Sequence, residues 1–229
     1  MKITQLFKIY WPDNGGGIAR IMENIADVFA GSRQEIIVCQ DRRRKKSTDD
    51  SYKGIPVHRC RQLFEIASTP VSLQFLFEVK RRTKDSDIVV YHFPYPMADL
   101  AILFGMYKGR LVVWWHCGFE QNKKLALLYR PLVRHTLKKA DRIFVSSKEN
   151  LKNSTLLLEY QKKCRVIPFC VSDVYLQKGM EHRMRPSEKK EQITILFVGR
   201  LVWYKGCDIL LRAFAAMDSQ NCRLVMVGG

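Results

Sequence analysis

Short apolar runs alternate along this chain with stretches in which apolar residues recur every three or four positions, the pattern of strands alternating with helices. It predicts strands over Ile3–Ile9, Glu35–Cys39, Asp87–His92, Leu111–His116, Arg142–Ser146 and Arg165–Pro168. Between them, Ile18, Met22, Ile25 and Phe29 place one apolar stripe on a helix. Leu125, Leu128, Leu132, Val133 and Leu137 place another, which Pro131 is expected to kink or restart. Alternation of this kind predicts an α/β fold with a Rossmann-like, doubly wound parallel sheet, occupying residues 1–171.

Residues 172–192 read as a linker, because Gln177 to Gln192 are polar, highly charged and include a proline. The apolar pattern then resumes over 193–229, with a strand from Ile193 to Val198, a helix from about Gly206 to Met217 and a strand from Arg223 to Val227. One strand-helix-strand unit cannot cover both faces of its own sheet, so this second domain is expected to be only begun.

With 229 residues, 47% of them hydrophobic, the chain can bury a substantial core. The longest apolar runs, "LAILFGMY" and "LVVWW", fall short of the roughly 20 residues of a membrane-spanning helix. Neither a signal peptide nor a transmembrane helix is expected, and the predicted location is the cytoplasm. Seven cysteines without a C-x-x-C pair suggest neither a disulfide framework nor a zinc site. The formal charge of +17 changes the picture more, since its field attracts phosphates, nucleic acid and anionic lipid alike. Its densest run is "RRRKK", Arg42 to Lys46. A solvated charged loop accounts for such a run, and so does attachment to the inner face of an anionic membrane. Nucleic acid is the least favoured partner, because no recognition helix, zinc finger or aromatic-and-basic platform is visible.

Three places could carry chemistry. The loop "YWPDNGGGIAR" follows the first strand and opens the first helix, and Gly15, Gly16 and Gly17 would let the backbone approach an anion there, or would simply make a tight turn. His92 and His116 each close a predicted strand of the same sheet, where the ligand crevice of an open parallel sheet lies. With no catalytic triad or metal spacing around them, they suit hydrogen bonding to a polar ligand, or a structural role. Arg200 and Lys205 stand in one loop beside Gly199 and Gly206, a fork and a point charge suited to a diphosphate, or two exposed cations.

The string "GRLVWYKGCDILLRAF" resembles the G-R-L-x-x-x-K-G signature of family 4 glycosyltransferases, retaining enzymes of the GT-B fold. "PDNGGGIAR", "HFPYPMADLA", "WWHCGFEQNKKLALLYRPLVRHTLKKADRIFVSS" and "RVIPFCVS" are similar, in the same order, to successive segments of that family. Cys170 departs from it, standing where a glycine is expected. The resemblance implies that Arg200 and Lys205, with Gly16 and Gly17, bind the donor diphosphate, that His116 sits at the transferred sugar, and that Gly15 and His92 face the acceptor side of the cleft. It further implies a UDP or GDP type of nucleotide-sugar donor, a lipid-linked or oligosaccharide acceptor, no metal or other cofactor, and front-face transfer assisted by the donor phosphate. The family's second domain continues with a pair of glutamates that hold the donor. The chain is therefore expected to be truncated at Gly229, and a non-catalytic remnant is the alternative reading. A sugar-nucleotide epimerase of the same fold is a further one.

Overall fold

Strand β1 (Lys2–Leu6) leads into helix α1 (Gly17–Val28), strand β2 (Arg33–Cys39), a hairpin of β3 (Thr48–Tyr52) and β4 (Ile55–Cys60), and a smaller hairpin of β5 (Phe64–Ile66) and β6 (Thr69–Val71). Helix α2 (Leu73–Arg82), β7 (Ile88–Phe93), α3 (Pro96–Leu103), β8 (Arg110–Trp115), α4 (Lys123–Lys139) and β9 (Arg142–Val145) follow in strict alternation. Two short helices, α5 (Lys148–Lys152) and α6 (Thr155–Glu159), precede β10 (Cys164–Val166). These belong to the first of two compact units, Met1–Cys170 and Val171–Gly229. The structure is a computed structural model that describes residues 1–13, 16–40, 46–66, 69–118, 123–171, 173–183, 193–217 and 221–228.

The main sheet has the order β10-β9-β8-β7-β1-β2-β4-β3, parallel throughout except where β3 runs against β4. The α/β, mostly parallel class predicted from the pattern is thus the observed one. From β1 the chain builds outward to β2 on one side, then returns to place β7 on the other, so the switch of direction falls between β1 and β7. Ligands bind such sheets at that switch, beyond the carboxyl ends of the strands.

Side-chain alternation divides the core. Leu6, Val89, Tyr91, Phe93, Val113 and Trp115 point to the face covered by α2, α3 and α4, whereas Ile3, Ile25, Val90 and Trp114 gather on the α1 face. On the first face Asp99 is fully buried and takes hydrogen bonds from Tyr91 Oη at 2.7 Å, Thr136 Oγ1 at 2.6 Å and Tyr129 Oη. Burial still pushes its carboxyl up to about 6, against the lowering effect of those three donors.

Several details differ from the pattern's expectation. Strand β1 ends at Leu6 instead of Ile9, although Phe7 N–H still donates to the Ile37 carbonyl at 3.3 Å and the Lys8 carbonyl accepts from Cys39 N–H at 3.1 Å, and Phe7 and Tyr10 pack into the core under α1. Helix α4 runs through Pro131 without a break. Its buried stripe is Val133, Thr136 and Leu137 with Tyr129 half-buried, and Leu128, expected in the stripe, is 80% exposed. The buried side of this helix thus combines Val133 and Leu137 with the hydroxyls that reach Asp99, and Leu128 falls outside it. Phe29, also expected in a buried stripe, caps the end of α1 and is 40% exposed. The polar β3 gave no apolar alternation to find, being an edge strand. Gly109 at φ +88° turns the chain into β8, and a Cβ there would lie 2.4 Å from the Ser86 carbonyl oxygen.

In the second unit, α7 (Asp173–Arg183) forms where a linker from 172 was expected. Residues 173–183 are mostly good helix formers with Asp173 in the first turn, although Val174, Leu176 and Met180 remain exposed. Strand β11 (Ile193–Val198), helix α8 (Cys207–Ala215) and strand β12 (Cys222–Val227) complete it, with β11 and β12 parallel.

Candidate active site

The loop between β1 and α1 is shaped by a residue far away in sequence. Arg59 of β4 is 0% exposed, and its guanidinium reaches the Tyr10 carbonyl at 3.5 Å, Asp13 Oδ2 at 3.3 Å and Asp50 Oδ2 at 2.9 Å, and also donates to the Trp11 carbonyl. A planar fork with donors on several edges can hold two carbonyls and two carboxylates at once. The 10–13 turn is thereby pinned immediately before the glycines. Gly16 caps α1 with no side chain, and among the described residues a Cβ at Gly17 would meet nothing within 4 Å. Gly15 lies outside the described residues, as do Arg42 to Lys45 of the basic run.

The two histidines come together. His92 is the penultimate residue of β7 and His116 follows the last residue of β8, on the α1 face of the sheet next to the switch point. His92 Nδ1 lies 2.9 Å from His116 Nε2, and His92 Nε2 lies 2.9 Å from Oε1 of Gln5 in β1. Gln5 Nε2 donates to the Met22 carbonyl of α1 at 3.0 Å. Phe7 meets the His92 ring edge-on at 6.2 Å, and Phe169 stacks on His116 at 5.8 Å. Burial pushes the His116 imidazole down to about 3, and burial followed by the neighbouring His116 pushes His92 well below its ordinary value. Both rings are therefore neutral at physiological pH. Below them an apolar groove of about 420 Å³ runs along the same face, lined by Ile3, Ile25, Val90, Trp114 and Phe144 among others.

Arg200 and Lys205 sit in the second unit, on the loop between β11 and α8. The loop closes on itself through Val202 N–H to the Arg200 carbonyl at 2.9 Å and Lys205 N–H to the Val202 carbonyl at 3.0 Å. Gly206, at φ +69°, then turns it into α8. Both cations are exposed and neither makes an ion pair among the described residues. Gly228 presses on this loop from the end of β12, since a Cβ there would lie 1.7 Å from the Gly199 carbonyl oxygen. Among the described residues there is no cluster of three or more His, Cys, Asp or Glu able to hold a metal ion.

With this geometry in view, the sequence profile of Glycosyltransferase Family 4 matches residues 15–173. The chain belongs to Glycosyltransferase Family 4. A second profile, that of glycosyl transferases group 1, matches residues 180–229. O-antigen chain mannosyltransferase C of Escherichia coli is 34% identical over 229 residues, which is all of this chain and 61% of that relative. D-rhamnosyltransferase WbpZ of Pseudomonas aeruginosa is 30% identical over 227 residues, 95% of this chain and 58% of its own. The chain thus spans about 60% of the length of these curated relatives. Among solved structures, HepE of Anabaena with UDP and glucose matches with a TM-score of 0.64 at 17% identity, over 99% of this chain and 60% of that one. Sucrose-phosphate synthase of Thermosynechococcus elongatus matches with a TM-score of 0.63 at 16% identity, over 100% of this chain and 62% of that one. These likenesses show the fold, which is that of GT-B glycosyltransferases.

The family's predicted residues fall into two groups, His92 and His116 in one unit and Arg200 and Lys205 in the other. Three contributors escaped the sequence reading: Gln5, Arg59 and Gly228.

Proposed function

We propose that this protein transfers a sugar from a nucleotide-diphospho-sugar, of UDP or GDP type, to a lipid-linked or saccharide acceptor in the assembly of a cell-surface polysaccharide. The observation that carries the reading is the family match together with the neutral His116 at the switch point of the sheet. In this reading Arg200 and Lys205 neutralise the diphosphate as it leaves, Gly16 and Gly17 leave room for its oxygens at the start of α1, and His116 takes a hydrogen bond from the transferred sugar. Gly15 and His92 belong to the acceptor side. The assignment is retaining transfer without a metal, in which the protein orients two substrates and stabilises separating charge. The names of relatives that transfer mannose or rhamnose, and of a neighbour bound to UDP and glucose, support the class of donor.

The test is release of nucleoside diphosphate from nucleotide sugars in the presence of a lipid-linked acceptor. Arg200→Ala is expected to weaken nucleoside diphosphate affinity by about 10- to 100-fold, the worth of one charge-assisted hydrogen bond or slightly more. Unchanged affinity in that variant, with no turnover of any nucleotide sugar by the unaltered protein, would refute the assignment.

No helix among the described residues is long and apolar enough to cross a membrane. The charge of +17 supports a cytoplasmic protein held on the inner face of an anionic membrane. Co-sedimentation with phosphatidylglycerol vesicles is expected, declining as salt rises, and binding that ignores salt would contradict an electrostatic attachment.

A further inference from the structure

We propose that Gln5 and His92 are positioning residues that fix the tautomer of His116, so that its Nδ1 is held as a hydrogen-bond acceptor for a ligand hydroxyl. The Met22 backbone carbonyl can only accept, so the Gln5 atom 3.0 Å from it is the amide nitrogen, and Oε1 is the atom that faces His92. An amide oxygen can only accept as well. His92 Nε2, 2.9 Å away, must therefore carry a hydrogen.

A neutral imidazole carries one N–H, so with Nε2 protonated the His92 Nδ1 presents a lone pair. His116 Nε2, 2.9 Å from that lone pair, must then be the donor. The same count leaves His116 Nδ1 as a lone pair, and this atom has no hydrogen-bond partner among the described residues although it is shut off from solvent. A buried acceptor left unmade is costly, and a ligand that donates to it removes the cost. The flanking rings of Phe7, Trp114 and Phe169 present carbon to the pair and leave the relay its single direction. Burial that holds both imidazoles neutral preserves it, since a doubly protonated ring would have no lone pair to pass along.

The chemical consequence is selective. A lone pair at Nδ1 accepts from an O–H group and repels the oxygens of a phosphate, so the His116 end of the main sheet is assigned to the hydroxyl-bearing part of a ligand. That the hydroxyl belongs to a sugar rests on the proposed function, whereas the tautomer does not.

The test needs no substrate. Two-bond proton–nitrogen correlation spectra of the chain labelled with ¹⁵N-histidine, at neutral pH, read the tautomer of each ring directly. Both His92 and His116 are expected in the Nε2–H form. Gln5→Leu removes the acceptor that starts the relay, and His116 is expected to pass from one tautomer to a mixture. Gln5→Glu still offers an oxygen to His92 and should restore the single form, which a merely space-filling role for Gln5 would not predict. An Nδ1–H ring at His116 in the unaltered protein overturns the proposal whether or not the variants fold. So does a His116 signal unchanged in folded Gln5→Leu and in His92→Phe. Failure of the transfer assay together with the expected spectra would count against the enzyme reading and leave the relay intact.

Discussion

Arg59→Met is expected to lower the unfolding free energy by about 3–5 kcal/mol, the cost of removing one partner from a buried ionic cluster. Methionine fills most of the volume, so lost packing is the smaller part. What remains is Asp13, whose side chain is 5% exposed, and Asp50, each having lost its contact with Arg59, and two backbone carbonyls with donors removed. Arg59→Lys should recover only part, because one ammonium cannot reach all four oxygens. Adding Asp13→Asn to the methionine variant should restore part of the stability, since it removes a buried charge that has lost its Arg59 contact. Urea unfolding midpoints of the three proteins measure this. A midpoint for Arg59→Met equal to that of the unaltered chain would show that the cluster contributes nothing. Because the 10–13 turn leads into Gly16 and Gly17, ligand affinity should fall along with stability.

Acid should destabilise the first unit sharply below neutrality, and the sign follows from opposed titrations. His116 is pushed down to about 3 when folded, so its contribution is complete above the unfolded value near 6.5 and is lost as pH falls. At pH 4.5 that loss amounts to about 3 kcal/mol from His116 alone. His92, depressed by burial and by His116, adds to it in the same direction. Asp99 works the other way: its carboxyl is raised to about 6, so its contribution is greatest below its unfolded value and fades as pH rises through the folded one. At pH 4.5 Asp99 returns about 2 kcal/mol. Two histidines outweigh one carboxyl, and the net effect is acid lability. Urea unfolding at pH 7 and pH 4.5 tests the balance, with Asp99→Asn expected to steepen the loss and His116→Phe to reduce it. Equal midpoints at the two pH values in the unaltered chain would rule this account out.

The legible part of the site was what local pattern carries. His92 and His116 stood out because an apolar run ended on each, and the loop holding Arg200 and Lys205 stood out because a strand ended in glycine with a helix soon after. Gln5 drew no attention, since a polar residue beside Thr4 in "KITQL" reads equally well as the solvent side of a half-buried strand. The hairpin of β3 and β4 was missed for the same reason, with Asp49, Asp50, His58 and Arg59 obscuring its alternation.

By itself, then, the amino-acid order determined the α/β class, the alternation of most strands with helices, and the ends of strands where chemistry belongs. These follow from periods of two and of three to four residues, which need no knowledge of distant contacts. Only the tertiary structure decided that Gln5, His92 and His116 form one relay, that Arg59 pins the loop before the glycines, and that the Tyr129 and Thr136 hydroxyls of α4 meet on Asp99. Each of these joins residues at least 24 positions apart, and a hydrogen bond depends on separation in space, which local periodicity does not record.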